Sequence, residues 1–247
     1  MRKINIIYSV LLAIVLQSFS SVAHDSVKLR VGLLSPERPP YYFVDKASGE
    51  ISGFYIDLLN AVTEGLPVEL EYKVLPQARL REYMLSGKLD IEPGIDQTWR
   101  REKVEVADSV FTQPFMQSDE VLVFWDPNWQ LSQHKESHAC GVNGFNLNEK
   151  YFPKRTHLLT TEYQLLQMIS FKRCDIAQIP ELIVDYWNNT HAQQLYSGEI
   201  ISSYQLRLRL HKKHEGMLAT FNKNIDSLIQ ADEINTILKK HLSNKHK

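Results

Sequence analysis

The chain has 247 residues, of which 43% are hydrophobic and 23% are charged. These values are typical of a soluble globular protein and exclude a disordered or collagen-like chain. The formal net charge is −1, so no basic surplus indicates nucleic-acid binding. Two cysteines exclude a cysteine-rich scaffold and a four-cysteine zinc site, and the absence of a metal, phosphate-loop or nucleophile-elbow motif predicts no cofactor.

The first 23 residues have the features of a secretory signal peptide. Arg2 and Lys3 are positive, residues 4–16 are mostly apolar, and Ser21-Val22-Ala23 places small residues at the −3 and −1 positions of a cleavage site. A membrane anchor is the alternative, but the apolar run is shorter than the roughly 20 residues that a spanning helix needs. The segment therefore predicts export and cleavage, with a mature chain that begins near His24 and lies in the periplasm.

Strands and helices are predicted to alternate through the first hundred residues. The predicted elements are a strand at 28–35, a helix at 54–64, a strand at 68–75, a helix from 76 through 84 and a strand at 89–95. This β-α-β-α-β order is typical of a parallel sheet with crossover helices.

The second half repeats the alternation. The predicted elements are strands at 139–142 and 157–160, a helix at 162–173, a strand at 174–179, a helix at 181–187, a strand at 204–210, and helices at 216–229 and 231–242. Two similar α/β units predict two lobes with a cleft between them. In open α/β sheets, ligands bind outside the carboxyl ends of the strands.

The cysteines Cys140 and Cys174 each precede a short apolar run. Two neighbouring parallel strands that start at one edge would bring them together, and an oxidising compartment favours a bridge. We therefore expect a disulfide, which at a loop of about 35 residues would contribute roughly 3–4 kcal/mol. A reactive thiol or a metal pair is the alternative, but no histidine spacing supports it.

Four segments in order carry a family resemblance. Gly49-Glu-Ile-Ser-Gly-Phe-Tyr-Ile-Asp-Leu-Leu59 is similar to Gly-x-x-x-Gly-Phe-x-x-Asp-Leu, and Leu85-Ser-Gly-Lys-Leu-Asp90 to Leu-x-x-Gly-x-x-Asp. Thr98-Trp-Arg-Arg-Glu-Lys-Val-Glu-Val-Ala-Asp108 and the tail from Leu210 follow at matching spacing. Together they resemble the family 3 bacterial extracellular solute-binding proteins over nearly the whole mature chain.

The resemblance implies a two-lobed, type II periplasmic-binding-protein fold that closes like a flytrap. Each lobe would be a mostly parallel sheet flanked by helices. Residues 24–114 and 208–247 would form lobe 1, and residues 115–207 would form lobe 2. Two hinge segments would join the lobes, one near 111–117 and one near 203–208.

Arg100 is the first candidate for ligand binding. It stands eight residues before Asp108, which is the spacing of the family's carboxylate-binding arginine. A guanidinium grips a carboxylate through two parallel, charge-assisted hydrogen bonds. The neighbouring Arg101 is expected on the surface and offers an internal comparison.

Gly94, Ile95 and Asp96 come just before this arginine. The resemblance implies that this stretch presents backbone amides and small hydroxyls to the ligand, but Ile95 and Asp96 stand where serine or threonine is common. Asp96 either pairs with a ligand ammonium group or caps the short helix that follows.

Aromatic residues after the first strand are candidates for covering the ligand. The resemblance implies an aromatic here, so we expect Tyr41 or Tyr42 in the cleft, with Tyr41 preferred. Packing on the surface of the lobe is the alternative. Glu37, in the same proline-rich loop, is a candidate partner for a cationic group.

Lobe 2 offers Gly144, Asn146 and Glu181. Gly144 and Asn146 follow a predicted strand, where free amides at a helix start suit a carboxylate. The family's ammonium-binding acid would fall at Pro180, which cannot serve. Glu181, one residue later, either replaces it or is an ordinary acid of the first helical turn.

These observations favour a periplasmic solute-binding protein rather than an enzyme. We expect a monomer that captures an amino acid or small organic acid for an ABC permease of the inner membrane, without nucleic-acid partners. A ligand-sensing subunit for a membrane receptor is one alternative. Another is an enzyme similar to cyclohexadienyl dehydratase, in which Arg100 would hold the carboxylate and Glu181 would act as the acid.

Overall fold

The computed structural model describes residues 26–45, 47–129, 138–145, 147–152 and 156–242. Its strands are β1 Val27–Leu34, β2 Phe43–Val44, β3 Ile51–Ser52, β4 Val68–Leu75, β5 Ile91–Ile95, β6 Ser109–Phe111, β7 Met116–Phe124, β8 Ala139–Val142, β9 His157–Leu159, β10 Ile176–Pro180 and β11 Tyr196–His211. Its α-helices are α1 Phe54–Val62, α2 Gln77–Leu85, α3 Lys103–Ala107, α4 Glu162–Ser170, α5 Glu181–Thr190, α6 Leu218–Gln230 and α7 Glu233–Leu242. Within these ranges, no helix has the length and apolarity needed to cross a membrane. The predicted signal peptide lies outside the described residues.

The strands form one nine-stranded sheet and a small hairpin. The order is β4-β1-β5-β11-β7-β10-β8-β9, with β6 also paired to β11, and β2 pairs with β3. β1 runs parallel to β4 and β5, and β8 runs parallel to β9 and β10. The helices flank this sheet, so the predicted α/β class is confirmed.

One long strand, β11, belongs to both halves of the sheet. Its residues 196–206 pair antiparallel with β7, and residues 207–211 pair antiparallel with β5 and β6. We call β1, β4, β5 and β6 with α1–α3, α6 and α7 lobe 1, and β7–β10 with α4 and α5 lobe 2. The chain crosses a second time between β6 and β7, at residues 112–115.

The sequence prediction for β11 was too short. It placed the strand at 204–210, but pairing extends back to Tyr196. Residues 196–200 are exposed and lack the apolar alternation that marks a strand, so only their pairing with β7 reveals them. β7 itself was not predicted.

Buried apolar side chains of α1 anchor the C-terminal helices to lobe 1. Phe54, Leu58 and Leu59 are fully buried, and α6 and α7 pack against this helix. Asp57 fixes the arrangement, because its carboxylate accepts hydrogen bonds from Lys240 and His241, each at 2.7 Å.

The two cysteines form the expected disulfide. Cys140 lies in β8, Cys174 lies just before β10, and these strands are parallel neighbours. The two Cα atoms are 5.9 Å apart, within the usual range for a bridge. The predicted disulfide is therefore confirmed.

Candidate functional site

A cavity of about 270 Å³ lies between the lobes, at the carboxyl ends of β1 and β5. Lobe 1 contributes Gly32, Leu33, Leu34, Arg38, Tyr42, Tyr55, Gln77, Leu80, Arg81, Glu92, Pro93, Gly94, Ile95, Trp99 and Arg100. The shared strand contributes Tyr204, and lobe 2 contributes Ser118, Glu120, Gly144, Phe145 and Pro180. The location agrees with the rule that ligands bind outside the carboxyl ends of sheet strands.

Arg100 forms part of the lobe 1 wall. It follows a short 3-10 helix, Gln97–Trp99, that leaves β5. Its Nη2 donates to Glu92 at 2.5 Å, and its Nε is buried without a hydrogen-bond partner among the described residues. Arg100 as a whole is only 9% exposed, and the carboxylate of Glu105 lies 3.9 Å from its Nε.

Glu92 joins Arg100 to the shared strand. Its second carboxylate oxygen accepts from Arg209 of β11 at 2.9 Å. Arg209 is almost fully buried, and its Nε donates to Ser109 at 2.7 Å. One carboxylate therefore serves two buried guanidiniums.

Arg81, on α2, is the second guanidinium of the lobe 1 wall. Its Nε and Nη2 donate to Glu105 of α3 at 2.9 and 2.6 Å. Glu105 is fully buried and also lies 3.9 Å from the Nε of Arg100. Burial opposes ionisation, but the hydrogen bonds and charge of Arg81 outweigh it and lower the pKa of Glu105.

Glu120, on β7, forms the charged part of the lobe 2 wall. It is 8% exposed and accepts a hydrogen bond from the amide of Gln178. Burial raises its pKa, the nearby Glu162 raises it further, and Gln178 and Arg38 oppose the rise. In the sheet, Glu120 stands directly opposite Pro180.

Arg38 and Glu162 connect the two lobes beside the cavity. The Arg38 Nε and Nη2 donate to the two oxygens of Glu162 at 2.7 and 2.5 Å. The guanidinium also lies over the rings of Tyr41 and Phe145, at 5.2 and 5.7 Å from their centroids. Lobe 1 thus contacts lobe 2 through charge and through an aromatic ring.

Gly94 allows the floor of the cavity to pack closely. Its φ is +73°, and a Cβ there would overlap the hydroxyl of Tyr55. Only glycine combines this backbone conformation with so close an aromatic neighbour.

Comparisons with known proteins identify the family. The profile of the bacterial extracellular solute-binding proteins, family 3, matches residues 29–244. The chain belongs to this family. No curated protein sequence matches it significantly.

Solved structures share the fold of this family 3 protein. They include the arginine-, lysine-, histidine-binding protein ArtJ from Geobacillus stearothermophilus, with 20% identity, a TM-score of 0.69 and coverage of 89% of this chain and 97% of that one. A histidine kinase sensor domain has 19% identity, a TM-score of 0.71 and coverage of 88% and 97%. An ancestral amino-acid-binding protein, described as a precursor of cyclohexadienyl dehydratase, has 18% identity, a TM-score of 0.70 and coverage of 87% and 95%. At these identities the likeness establishes the two-lobed type II fold.

Half of the predicted site residues line the cavity of this solute-binding protein. They are Arg100, Tyr42, Gly94, Ile95 and Gly144. Arg101, the comparison residue, is exposed and donates to the carbonyl of Thr98. Asn146 lies outside the described residues.

Tyr41 and Asp96 lie elsewhere. Tyr41 is fully buried, and its ring stacks on that of Tyr55 with 5.0 Å between the centroids. Its neighbour Tyr42 lines the cavity. Burial raises the pKa of Tyr41 to about 12. Asp96 caps the 3-10 helix by accepting from Thr98, and its other oxygen accepts from the backbone N–H of Gln205 on β11. Of the two roles considered for Asp96, the structure therefore shows the cap of the 3-10 helix.

Glu37 and Glu181 also stand apart from the cavity. Glu37 accepts from the N–H of Val44 at 2.9 Å and lines a smaller cavity. Pro180 lines the cavity between the lobes. Glu181, the first residue of α5, instead lines a different cavity together with Asp119 and Asp185. Burial and these two carboxylates raise the pKa of Glu181.

Sequence reasoning missed the charged residues that surround the arginine. Glu92 and Glu120 each interrupt a strand segment that is otherwise buried, which is an unusual place for a charge and could have marked them. Arg38 and Arg81 stand in a loop and on a helix where an exposed arginine is ordinary, so no local signal distinguished them.

Proposed function

We infer that the protein captures a small carboxylate-bearing solute, an amino acid or a similar acid, in the periplasm for an ABC-type importer. The inference rests on one observation, the position of Arg100 in the wall of an interlobe cavity. A ligand carboxylate could accept charge-assisted hydrogen bonds from this guanidinium. Membership of a solute-binding family supports capture, and so does the similarity of the fold to proteins that bind amino acids, such as ArtJ.

The size and lining of the cavity fit a small solute with an apolar part. About 270 Å³ is slightly below the usual range for small-molecule sites. Aromatic rings enclose it, and Trp99 meets Tyr204 edge to face at 4.9 Å. Rings of this kind bury apolar surface, while the guanidinium and carboxylates orient the polar groups.

The enzymatic alternative assigned the role of the acid to Glu181, beside Arg100. These two residues line different cavities, which argues against this pairing. Incubation of the protein with prephenate or arogenate tests it directly, since aromatic product would establish catalysis. The sensor alternative uses the same binding site, and co-purification with a permease or a receptor distinguishes the two partners.

The binding site itself is tested by ligand-dependent thermal stability. We expect at least one amino acid or small organic acid to raise the melting temperature, since a ligand at 100 times its Kd stabilises by about 2.7 kcal/mol. Arg100→Ala and Arg100→Lys should abolish the shift, because lysine keeps the charge but lacks the planar fork.

Arg101→Ala is the matched control and should keep the shift. Circular dichroism of each variant establishes that it is folded. Equal losses in the two alanine variants, or no loss in either, would refute the role of Arg100.

A further inference from the structure

A second cavity, of about 330 Å³, lies where the two lobes join. Residues 115–119, which lead from the crossing between the lobes into β7, form one side of it. Helix α5 of lobe 2 and the junction of α6 and α7 of lobe 1 form the other sides. We call this cavity the hinge groove. Of its described lining residues, only Ser118 also lines the cavity of Arg100, so the two cavities are separate features.

Both lobes contribute apolar side chains to the hinge groove. They are Phe115, Leu182, Leu228, Ile234 and Leu238. Leu182 and Leu238 are partly exposed, and Ile229, which also lines the groove, is 47% exposed. A hydrocarbon chain that lay along these residues would remove apolar surface from water, which is favourable.

Every charged residue described in the lining of the hinge groove is acidic. Asp119 lies on β7, Glu181 and Asp185 lie one helical turn apart on α5, and Asp232 lies between α6 and α7. Among the described residues, Glu181 and Asp185 form neither an ion pair nor a side-chain hydrogen bond. The groove therefore has negative charge on three elements and from both lobes, without a basic side chain in its described lining to balance it.

The carboxylates of the hinge groove repel one another. Acids of like charge at positions i and i+4 of a helix are destabilising, as Glu181 and Asp185 are on α5. Burial raises the pKa of Glu181, and the charges of Asp185 and Asp119 raise it further. The helix dipole favours an acid in the first turn, which explains Glu181 but neither Asp185 nor Asp119. A cation in the groove would relieve this repulsion.

We propose that the hinge groove binds a small organic polycation, an alkyl diamine or polyamine. Its ammonium groups pair with carboxylates of the two lobes, and its hydrocarbon chain covers the apolar side chains between them. The volume of about 330 Å³ is within the usual range for small-molecule sites. More than one ammonium group is needed because the carboxylates lie on three different elements. The proposal is independent of the solute that occupies the cavity of Arg100.

Calorimetric titration of the unaltered protein tests the proposal. The probes are propanediamine, pentanediamine and octanediamine, with pentylamine, pentanediol, Mg²⁺ and a basic helical peptide for comparison. A salt concentration of about 0.15 M screens the attraction between distant exposed charges. Each methylene that contacts the apolar lining should strengthen the binding of a diamine by up to about fourfold. Pentylamine should bind about fivefold more weakly than pentanediamine, because it forms one ion pair fewer, and pentanediol should not bind.

Substitutions locate the binding site. The double variant Glu181→Gln with Asp185→Asn should weaken octanediamine binding at least about tenfold, because it removes two of the ion pairs. Glu50→Gln with Glu82→Gln is the matched control, since it removes the same charge at exposed positions that line neither cavity. Glu120→Gln changes the cavity of Arg100 instead. Both controls should keep the affinity of the unaltered protein.

Several results would overturn the proposal. Equal losses in the two double variants would mean a general attraction of amines to an acidic surface, and a loss confined to Glu120→Gln would place the amine in the other cavity. An affinity that does not rise with chain length, or Mg²⁺ binding as tightly as octanediamine, would mean a simple ion site. Failure of every diamine to bind, with or without binding of the peptide, would refute it as well. None of these results bears on the capture of an acid beside Arg100.

Discussion

Arg38 and Glu162 form an ion pair with two hydrogen bonds, of 2.7 and 2.5 Å, that joins the lobes without help from a solute. The Arg38 side chain is 20% exposed and that of Glu162 is 6% exposed, so water screens the pair only partly. The charge of Glu162 also holds the pKa of Arg38 above its ordinary value, although burial opposes this. The Arg38–Glu162 ion pair therefore holds the two lobes in contact even when no solute is bound.

A double-mutant cycle should measure this contact. We expect Arg38→Met and Glu162→Gln to be coupled by about 1–3 kcal/mol in urea denaturation, because each leaves the other partner buried and unpaired. The exposed pair Lys28–Glu69, 3.5 Å apart, is the control and should show coupling below about 1 kcal/mol. Equal coupling in the two cycles would mean that the lobe contact is no stronger than a surface pair.

The disulfide should contribute measurably to stability. Cys140→Ser with Cys174→Ser should lower the free energy of unfolding by about 3–4 kcal/mol, because the bridge closes a loop with a sequence separation of 34 residues. The two cysteines are the only ones in the sequence, so reduction of the unaltered protein should give the same loss. Denaturation curves that coincide with and without reductant would contradict this prediction.

Asp90 should make stability depend on acid pH. It is fully buried and binds Arg30, Lys213 and His214 at 2.6–2.7 Å. Burial alone would raise its pKa, but the hydrogen bonds from these groups lower it far below the ordinary value. A lowered folded-state pKa contributes stability that is fully present above the unfolded value of about 3.9 and is lost as the pH falls through the folded value.

Asp90→Asn should therefore cost on the order of 3 kcal/mol at pH 7 and flatten the dependence of stability on pH below about 4. Urea denaturation at a series of pH values measures both effects. Asp108→Asn, at an exposed position, is the control and should leave the profile in place. A similar acid profile in the Asp90 variant would assign the effect to other carboxylates.

Gly94→Ala should disrupt the cavity. Gly49 has the same φ of +73° but open space around it, so Gly49→Ala reports the backbone strain alone, about 1–2 kcal/mol. Gly94→Ala should cost at least about 2 kcal/mol more, because its methyl group overlaps Tyr55. It should also abolish the thermal shift with ligand, and equal melting temperatures for the two variants would disprove the close packing.

Local periodicity predicted most of the fold. The strands Val68–Leu75 and Ala139–Val142 have the predicted bounds, because a regular apolar pattern or a run of small and apolar residues identifies a strand directly. β7 and the first half of β11 were missed, since their positions depend on each other across the sheet rather than on their own residues. Tertiary pairing is invisible to a local pattern.

The same reason limited the prediction of the candidate site. Arg100 was found from its spacing in a motif, and it does line the cavity. Glu120 comes near Pro180 only because β7 and β10 pair with these residues in register, although 60 positions separate them in the sequence. A local pattern points only to Glu181, the neighbour of Pro180 in the chain, and cannot reveal Glu120, its neighbour in the sheet.

The shared strand β11 also constrains how the protein is made. Lobe 1 lacks its central strand until residues 207–211 of β11 have been synthesised and pair with β5 and β6. The helices α6 and α7 come after β11 in the chain. Because a chain is synthesised from its N-terminus, the first lobe to begin is the last to be completed. Nascent chains that stop before this strand should lack both finished lobes and remain sensitive to protease along their whole length.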